Sequence, residues 1–121
     1  MKSIDLECFG TKFKVQLQIA WYVGNGNLYI LLNYWEDGCT MPFGVLTVNT
    51  GLSCPRDCAF IDINNFPKVI LPWIVSHKLA VPTGRRAISG YCEYPEYRFD
   101  ARVLQEFDYD GYSAYLHNLR A

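Results

Sequence analysis

The chain has little histidine and no surplus of charge. With only His77 and His117 available, few general bases or imidazole ligands can be assembled. Eleven basic residues stand against 12 acidic ones, for a net charge of −1. That balance lacks the basic excess of a general nucleic-acid binder, and no acidic run is long enough to mimic the charge of DNA. No apolar stretch approaches the ~20 residues that a membrane-spanning helix needs. Residues 3–7 alternate apolar and polar after Lys2, which is a strand pattern rather than a leader. The five cysteines are an odd number, and the expectation is a cytoplasmic protein with reduced thiols, no membrane association and no nucleic-acid partner.

Chemistry-bearing clusters are also scarce. Cys54-Pro55-Arg56-Asp57-Cys58 has a spacing that zinc sites sometimes use, and Cys39 or Cys92 could complete it, but zinc needs four ligands, commonly from two closely spaced pairs, and only this one exists. The pair reads as unpaired, partly buried thiols, so neither metal nor cofactor is expected. A cysteine nucleophile needs a histidine base held by a third group. His77 falls on an apolar helix stripe and His117 near the end of the chain, and neither suits that role. Glu36 with Asp37 is a local turn pair, and Glu93 with Glu96 lies along a strand. The expectation is that the chain is not an enzyme and has no catalytic residues.

What is present is apolar and aromatic. Half of the residues are hydrophobic, enough for a packed core, and a chain of this length forms one domain, residues 1–121. Residues 12–22 alternate, with Phe13, Val15, Leu17, Ile19 and Trp21 on one face. Gly24-Asn25-Gly26-Asn27 is a hairpin turn, and residues 28–35, apolar on both faces, form a central strand. Glu36-Asp37-Gly38 turns again. Pro42 delays the third long strand until Phe43, and a loop over 50–57 leads to a strand at 59–63. A helix follows, with Asn65 as N-cap and Phe66, Val69, Ile70, Trp73, Ile74 and His77 as its stripe, kinked or split at Pro72. Residues 82–90 connect it to a strand over 91–99, in which Pro95 marks an edge or a bulge. Asp100 caps a helix over 101–107, and Asp108 or Asp110 caps a last one. The fold class is therefore α+β: an antiparallel meander of about four to five strands, packed by one main helix and a short C-terminal helical segment.

Three surface features stand out. Thr83-Gly84-Arg85-Arg86 resembles a small anion-binding loop, although Arg85 and Arg86 can equally pair with Asp57, Glu93 or Glu96. Tyr91, Tyr94 and Tyr97 are spaced by three, so one strand face cannot bury them all, and at least one should reach solvent as a contact residue. Leu71 and Val75 are left over on the helix flank that should be wet.

The runs Ala59-Phe60-Ile61-Asp62-Ile63-Asn64-Asn65-Phe66-Pro67, Pro82-Thr83-Gly84-Arg85, Ser89-Gly90-Tyr91-Cys92 and Tyr94-Pro95-Glu96-Tyr97-Arg98-Phe99-Asp100 resemble the bacterial family called domain of unknown function 4313. Gly26-Asn27-Leu28, Glu36-Asp37-Gly38 and Leu46-Thr47-Val48-Asn49 resemble it too, and the likeness runs from about Val23 to the end. The resemblance implies a small cytosolic protein of mobile elements, plasmids and phages, and brings no activity or catalytic residue with it. The helix departs from the family pattern in being apolar nearly all round from Val69 to Val75. The expected function is that of a small protein-binding protein, for instance an inhibitor of a host defence system. Arg85, Arg86, Tyr91, Tyr94, Tyr97, Leu71 and Val75 are its candidate contacts, and a homodimer is a further expectation. The alternative is a small-molecule or nucleotide-binding module built on the segment from Thr83 to Arg86.

Overall fold

The computed structural model describes residues 2–120. Its first sheet is a meander of β1 (Ile4–Cys8), β2 (Thr11–Trp21), β3 (Leu28–Glu36) and β4 (Cys39–Val45), in chain order and antiparallel. A second antiparallel sheet holds β5 (Thr47–Val48), β6 (Cys58–Ile61), β7 (Ala80–Ser89) and β8 (Cys92–Phe99) in the order β5-β6-β8-β7. The helices are α1 (Ile70–Ser76), α2 (Ala101–Phe107) and α3 (Tyr109–Leu119). The α+β class and the antiparallel meander agree with the sequence. The strands divide into two sheets of four, however, rather than one of four to five.

The division happens at Leu46. Its N–H donates to Ile30 O at 2.9 Å, and its own carbonyl accepts from Asp62 N at 2.9 Å. The chain thus leaves the first sheet at Val45 and enters the second at Thr47, with the Leu46 side chain buried at the corner. Corners of this kind let one extended segment serve two sheets.

β2 follows its alternation: Val15, Leu17 and Ile19 are buried, whereas Lys12, Lys14 and Gln18 are exposed. β3 lies inside the sheet, as its apolar faces require. β4 starts at Cys39, earlier than Pro42 suggests. It is an edge strand, and its register shifts between Leu32 and Asn33, where Pro42 faces Asn33; a missing N–H is tolerated there.

The helix is shorter than its apolar stripe. Val69 is the cap residue, so Pro72 is the third helical position. The N–H groups of the first turn have no intrahelical acceptor, so proline forfeits no hydrogen bond there and neither kinks nor splits the helix. The first intrahelical bond, Trp73 N to Val69 O, comes one residue later. Upstream, Asp62 rather than Asn65 organises the turn. Its Oδ1 accepts from Asn64 N at 3.2 Å and from Asn65 N at 3.1 Å, and its carbonyl accepts from Phe66 N. Because the stripe is partly turn, Val69 and His77 face solvent while Phe66, Ile70, Trp73 and Ile74 are buried. Trp73 Nε1 donates to Asp5 O at 2.7 Å and ties α1 to β1.

Asp100 and Asp108 cap α2 and α3. Asp108 also accepts from Ile19 N at 2.9 Å. β1 pairs with β2 only as far as Val15, so this carboxylate satisfies a strand amide that β1 leaves open. One core draws on both sheets and all three helices. No helix among the described residues is long and apolar enough to cross a membrane.

Candidate functional site

The hairpin of β7 and β8 carries most of the residues that the sequence puts forward. Of residues 82–90, expected as a connection, all but Gly90 are strand: β7 runs to Ser89 as the edge of the second sheet. An edge position leaves room for Pro82, and a bulge absorbs the rest. Pro82 pairs with Tyr97 and Arg86 pairs with Pro95, so Thr83, Gly84 and Arg85 together oppose Glu96. Gly84 takes a φ of +90, which a side chain would resist. Pro95 sits just past Glu96, the last β8 residue that pairs with β6, so its missing N–H breaks no ladder on that side.

The bulge turns two side chains onto a buried acid. Glu96 is 1% exposed. Thr83 Oγ1 donates to its Oε1 at 2.6 Å, and Arg85 Nη2 lies 3.2 Å from its Oε2, close enough for ion pairing but without a hydrogen-bonding angle. The same guanidinium donates to Ser53 O at 3.3 Å and stands over the Phe60 ring, 5.9 Å from its centroid. Arg86 is engaged elsewhere, its Nη1 2.7 Å from Glu93 Oε1. The two arginines therefore pair with Glu96 and Glu93, and Asp57 instead accepts from Tyr112 Oη at 2.7 Å. The anion-binding reading of Thr83-Gly84-Arg85-Arg86 meets a strand bulge with both guanidiniums already beside carboxylates.

Tyr94 and Tyr97 are both buried, which corrects the expectation of contact residues. A spacing of three sends them to opposite faces of β8, and both faces are covered. Tyr97 joins the main core. Tyr94 joins Phe60 and Ala87 in a small second core on the other face, with Cys54 and Cys92 packed against it. Tyr91, in the hairpin turn, stands wholly in solvent.

Cys54 lies over the buried acid. Its thiol is pushed up to about 12, first by burial and then by the Glu96 carboxylate beside it, with Arg85 opposing. Burial also raises Cys58. Such thiols stay protonated near neutrality and are poor nucleophiles. Among the described residues, no three His, Cys, Asp or Glu side chains are placed to share a metal ion. His77 is exposed beside the Trp73 ring, its own ring centroid 5.4 Å away, and is not a core residue as its place in the stripe suggested.

Two grooves receive the remaining candidates. One, of about 320 Å³, is lined by Ile63, Lys68, Leu71, Arg86, Glu93 and Pro95, and so brings Leu71 and Arg86 together. Val75 falls in a different groove of about 340 Å³, with Val81 and Arg98. The sequence reading missed Ile88, which is 76% exposed next to the hairpin turn. An isolated apolar residue beside Ser89-Gly90 was the available signal, and it went unused because the segment read as loop.

No curated protein and no solved structure matches the chain. Residues 16–119 do match the family described as Domain of unknown function (DUF4313), and the chain belongs to that family.

Proposed function

We propose that the chain is a non-catalytic protein-binding protein that meets its partner with the tip of the β7–β8 hairpin and the groove beside it. The observation that carries this reading is the pair Ile88 and Tyr91, at 76% and 109% exposure, three residues apart at one hairpin end. An exposed aliphatic and an exposed aromatic side chain supply the apolar anchors of a binding hot spot. Arg86 and Leu71 line the neighbouring groove and extend the contact with one charged and one apolar group. Cys54 and Cys58, held protonated by burial, favour a binding role over a nucleophilic one.

The test is capture from a host-cell lysate by the tagged full chain, beside an Ile88→Asp plus Tyr91→Asp variant. A protein retained by the parent and lost by the variant supports the reading. Equal retention by both, or none by either, overturns it. Inhibition of a host defence system is the narrower form of the proposal. It rests on the mobile-element setting that the family resemblance implies, and it predicts that the captured protein loses activity when the chain is added. Self-association at the same tip is checked by light scattering after size exclusion. The nucleotide-binding alternative has less support, because Arg85 and Arg86 are both ion-paired within the chain. It predicts a thermal shift with nucleotides that Arg85→Ala plus Arg86→Ala abolishes.

A further inference from the structure

A groove of about 450 Å³, distinct from the hairpin surface, is lined by Phe9, Phe43, Gly44, Asp62, Asn65 and Phe66. Its walls are aromatic. The Phe43 and Phe66 rings meet at 6.0 Å and 73°, and Phe13 backs Phe43 at 4.7 Å. Gly44 leaves space for the Phe66 ring to cross the backbone, since a Cβ there would come within 3.0 Å of Phe66 Cζ.

One wall carries an uncompensated charge. Asp62 is 8% exposed, yet its carboxylate accepts only from neutral donors: Asn64 N at 3.2 Å, Asn65 N at 3.1 Å and Asn65 Nδ2 at 2.7 Å. Among the described residues no cation pairs with it. Buried charges are ordinarily paired, so a carboxylate held only by amides on the wall of a groove is placed to take a cationic partner.

Phe9 adds an independent observation. It occupies the first central position of the β1–β2 turn with φ +53, followed by Gly10 at +76. Such turns favour Asn, Asp or Gly, and a bulky aromatic residue there is strained. The residue is 69% exposed, so packing within the chain does little to offset the strain. Strain of this kind gathers at ligand clamps.

We propose that this groove binds a small organic cation, an alkylguanidinium or alkylammonium, with Asp62 as the counter-charge and Phe9, Phe43 and Phe66 as the apolar, cation–π wall. The volume suits a small ligand. Arginine side chains of a peptide carry the same group, and the test separates the two sources.

The experiment follows backbone amide resonances of the full ¹⁵N-labelled chain during titration with butylguanidinium, its neutral isostere butylurea, and the tripeptide Gly-Arg-Gly. Saturable shifts at Phe9, Gly44 and Asn65 are expected with butylguanidinium, and butylurea should bind at least about tenfold more weakly. Asp62→Asn keeps an Oδ1 acceptor for both turn amides and should cut butylguanidinium affinity about tenfold or more. Phe9→Gly relaxes the turn, so it should weaken binding while leaving the fold intact, which keeps the proposal testable if Asp62→Asn does not fold. The proposal is overturned if butylguanidinium fails to saturate, if butylurea matches it, or if neither variant weakens it. Binding of Gly-Arg-Gly more than about tenfold tighter than butylguanidinium would overturn the small-molecule source.

Discussion

The first sheet is wet over much of its outward face, whereas the inner strands of the second, β6 and β8, are covered on both. On β2, Lys12, Lys14 and Gln18 point away from the core into solvent, and only Gln16 of that series is buried. On the corresponding face of the second sheet, Phe60 is fully buried and Glu96 nearly so. The cover is the segment between β5 and β6. Asn27 holds it at two points, donating Nδ2 to Leu52 O at 2.8 Å and accepting from Cys54 N at 2.9 Å. Arg85 holds it at a third, through Ser53 O. An outward position such as Gln18 is therefore dispensable in the first sheet, whereas Phe60 is structural in the second. A covered outward face also obliges any acid on it to find partners, which Thr83 and Arg85 supply to Glu96.

The largest test of that contrast is Phe60→Ala against Gln18→Ala, two outward positions. Removing the Phe60 ring leaves a cavity between sheet and cover and should cost about 3–5 kcal/mol by urea unfolding. The Gln18 change should stay within about 0.5 kcal/mol. Similar values for both would mean that the cover contributes little.

On the first sheet, α3 approaches β2 most closely at Gly111. A Cβ at Gly111 would overlap the Asp108 carboxylate and the Ile19 carbonyl. Gly111→Ala should cost about 1–3 kcal/mol by overpacking, although alanine is the better helix former. A stabilising result would show that α3 can shift without loosening β2.

Glu96→Gln is smaller. It keeps an acceptor for Thr83 and removes the charge facing a half-exposed Arg85, so about 1–2 kcal/mol is expected from the unpaired guanidinium and the buried amide. Arg85→Met combined with Glu96→Gln should recover part of that loss in a double-mutant cycle. Strict additivity would remove Arg85 as the latch of the cover.

The same contrast decides what was legible in the sequence. β2 can be read because Lys12, Lys14 and Gln18 face water between the apolar Phe13, Val15, Leu17 and Ile19, so its alternation is visible. The second sheet hid itself. Phe60 and Ala59 are both buried, so β6 has no alternation, and β7 carries the proline and glycine of a loop while pairing along its length through a bulge. Of the candidate contacts, Tyr91 sits in a turn and could be recognised as exposed. Tyr94 could not be recognised as buried, because its cover comes from a loop about 40 residues earlier in the chain. The pairings of Arg86 with Glu93 and of Arg85 with Glu96 were among those the sequence put forward, since charges spaced across a hairpin find each other. Pro72 looked disruptive because the helix start was placed at Asn65, several residues too early. Asp62, whose Asx turn delays the helix, was read as a strand residue.

The smallest effect is a pH dependence that differs between the two regions. Cys54 belongs to the cover of the second sheet, and its folded thiol is raised from an ordinary 9.0 to about 12 by burial and then by Glu96. The unfolded thiol ionises first, so the contribution is complete below pH 9 and is lost as pH rises toward 12. Tyr115 belongs to the helical side, where burial raises it from 10.0 to about 12. Its loss starts one unit later. The urea midpoint should therefore begin to fall above pH 9 in the parent chain. Cys54→Ala should make that fall shallower without moving its onset, because burial also raises Cys58 and Cys8 from 9.0, and Tyr115→Phe should leave the onset in place while flattening the fall above pH 10. Slopes are the quantity to compare, because Tyr115 Oη also accepts from Asp57 N at 2.9 Å and its removal lowers the midpoint at every pH. A slope between pH 9 and 10 unchanged by Cys54→Ala would mean that the cover opens before the sheet unfolds and lets the thiol ionise in the folded protein.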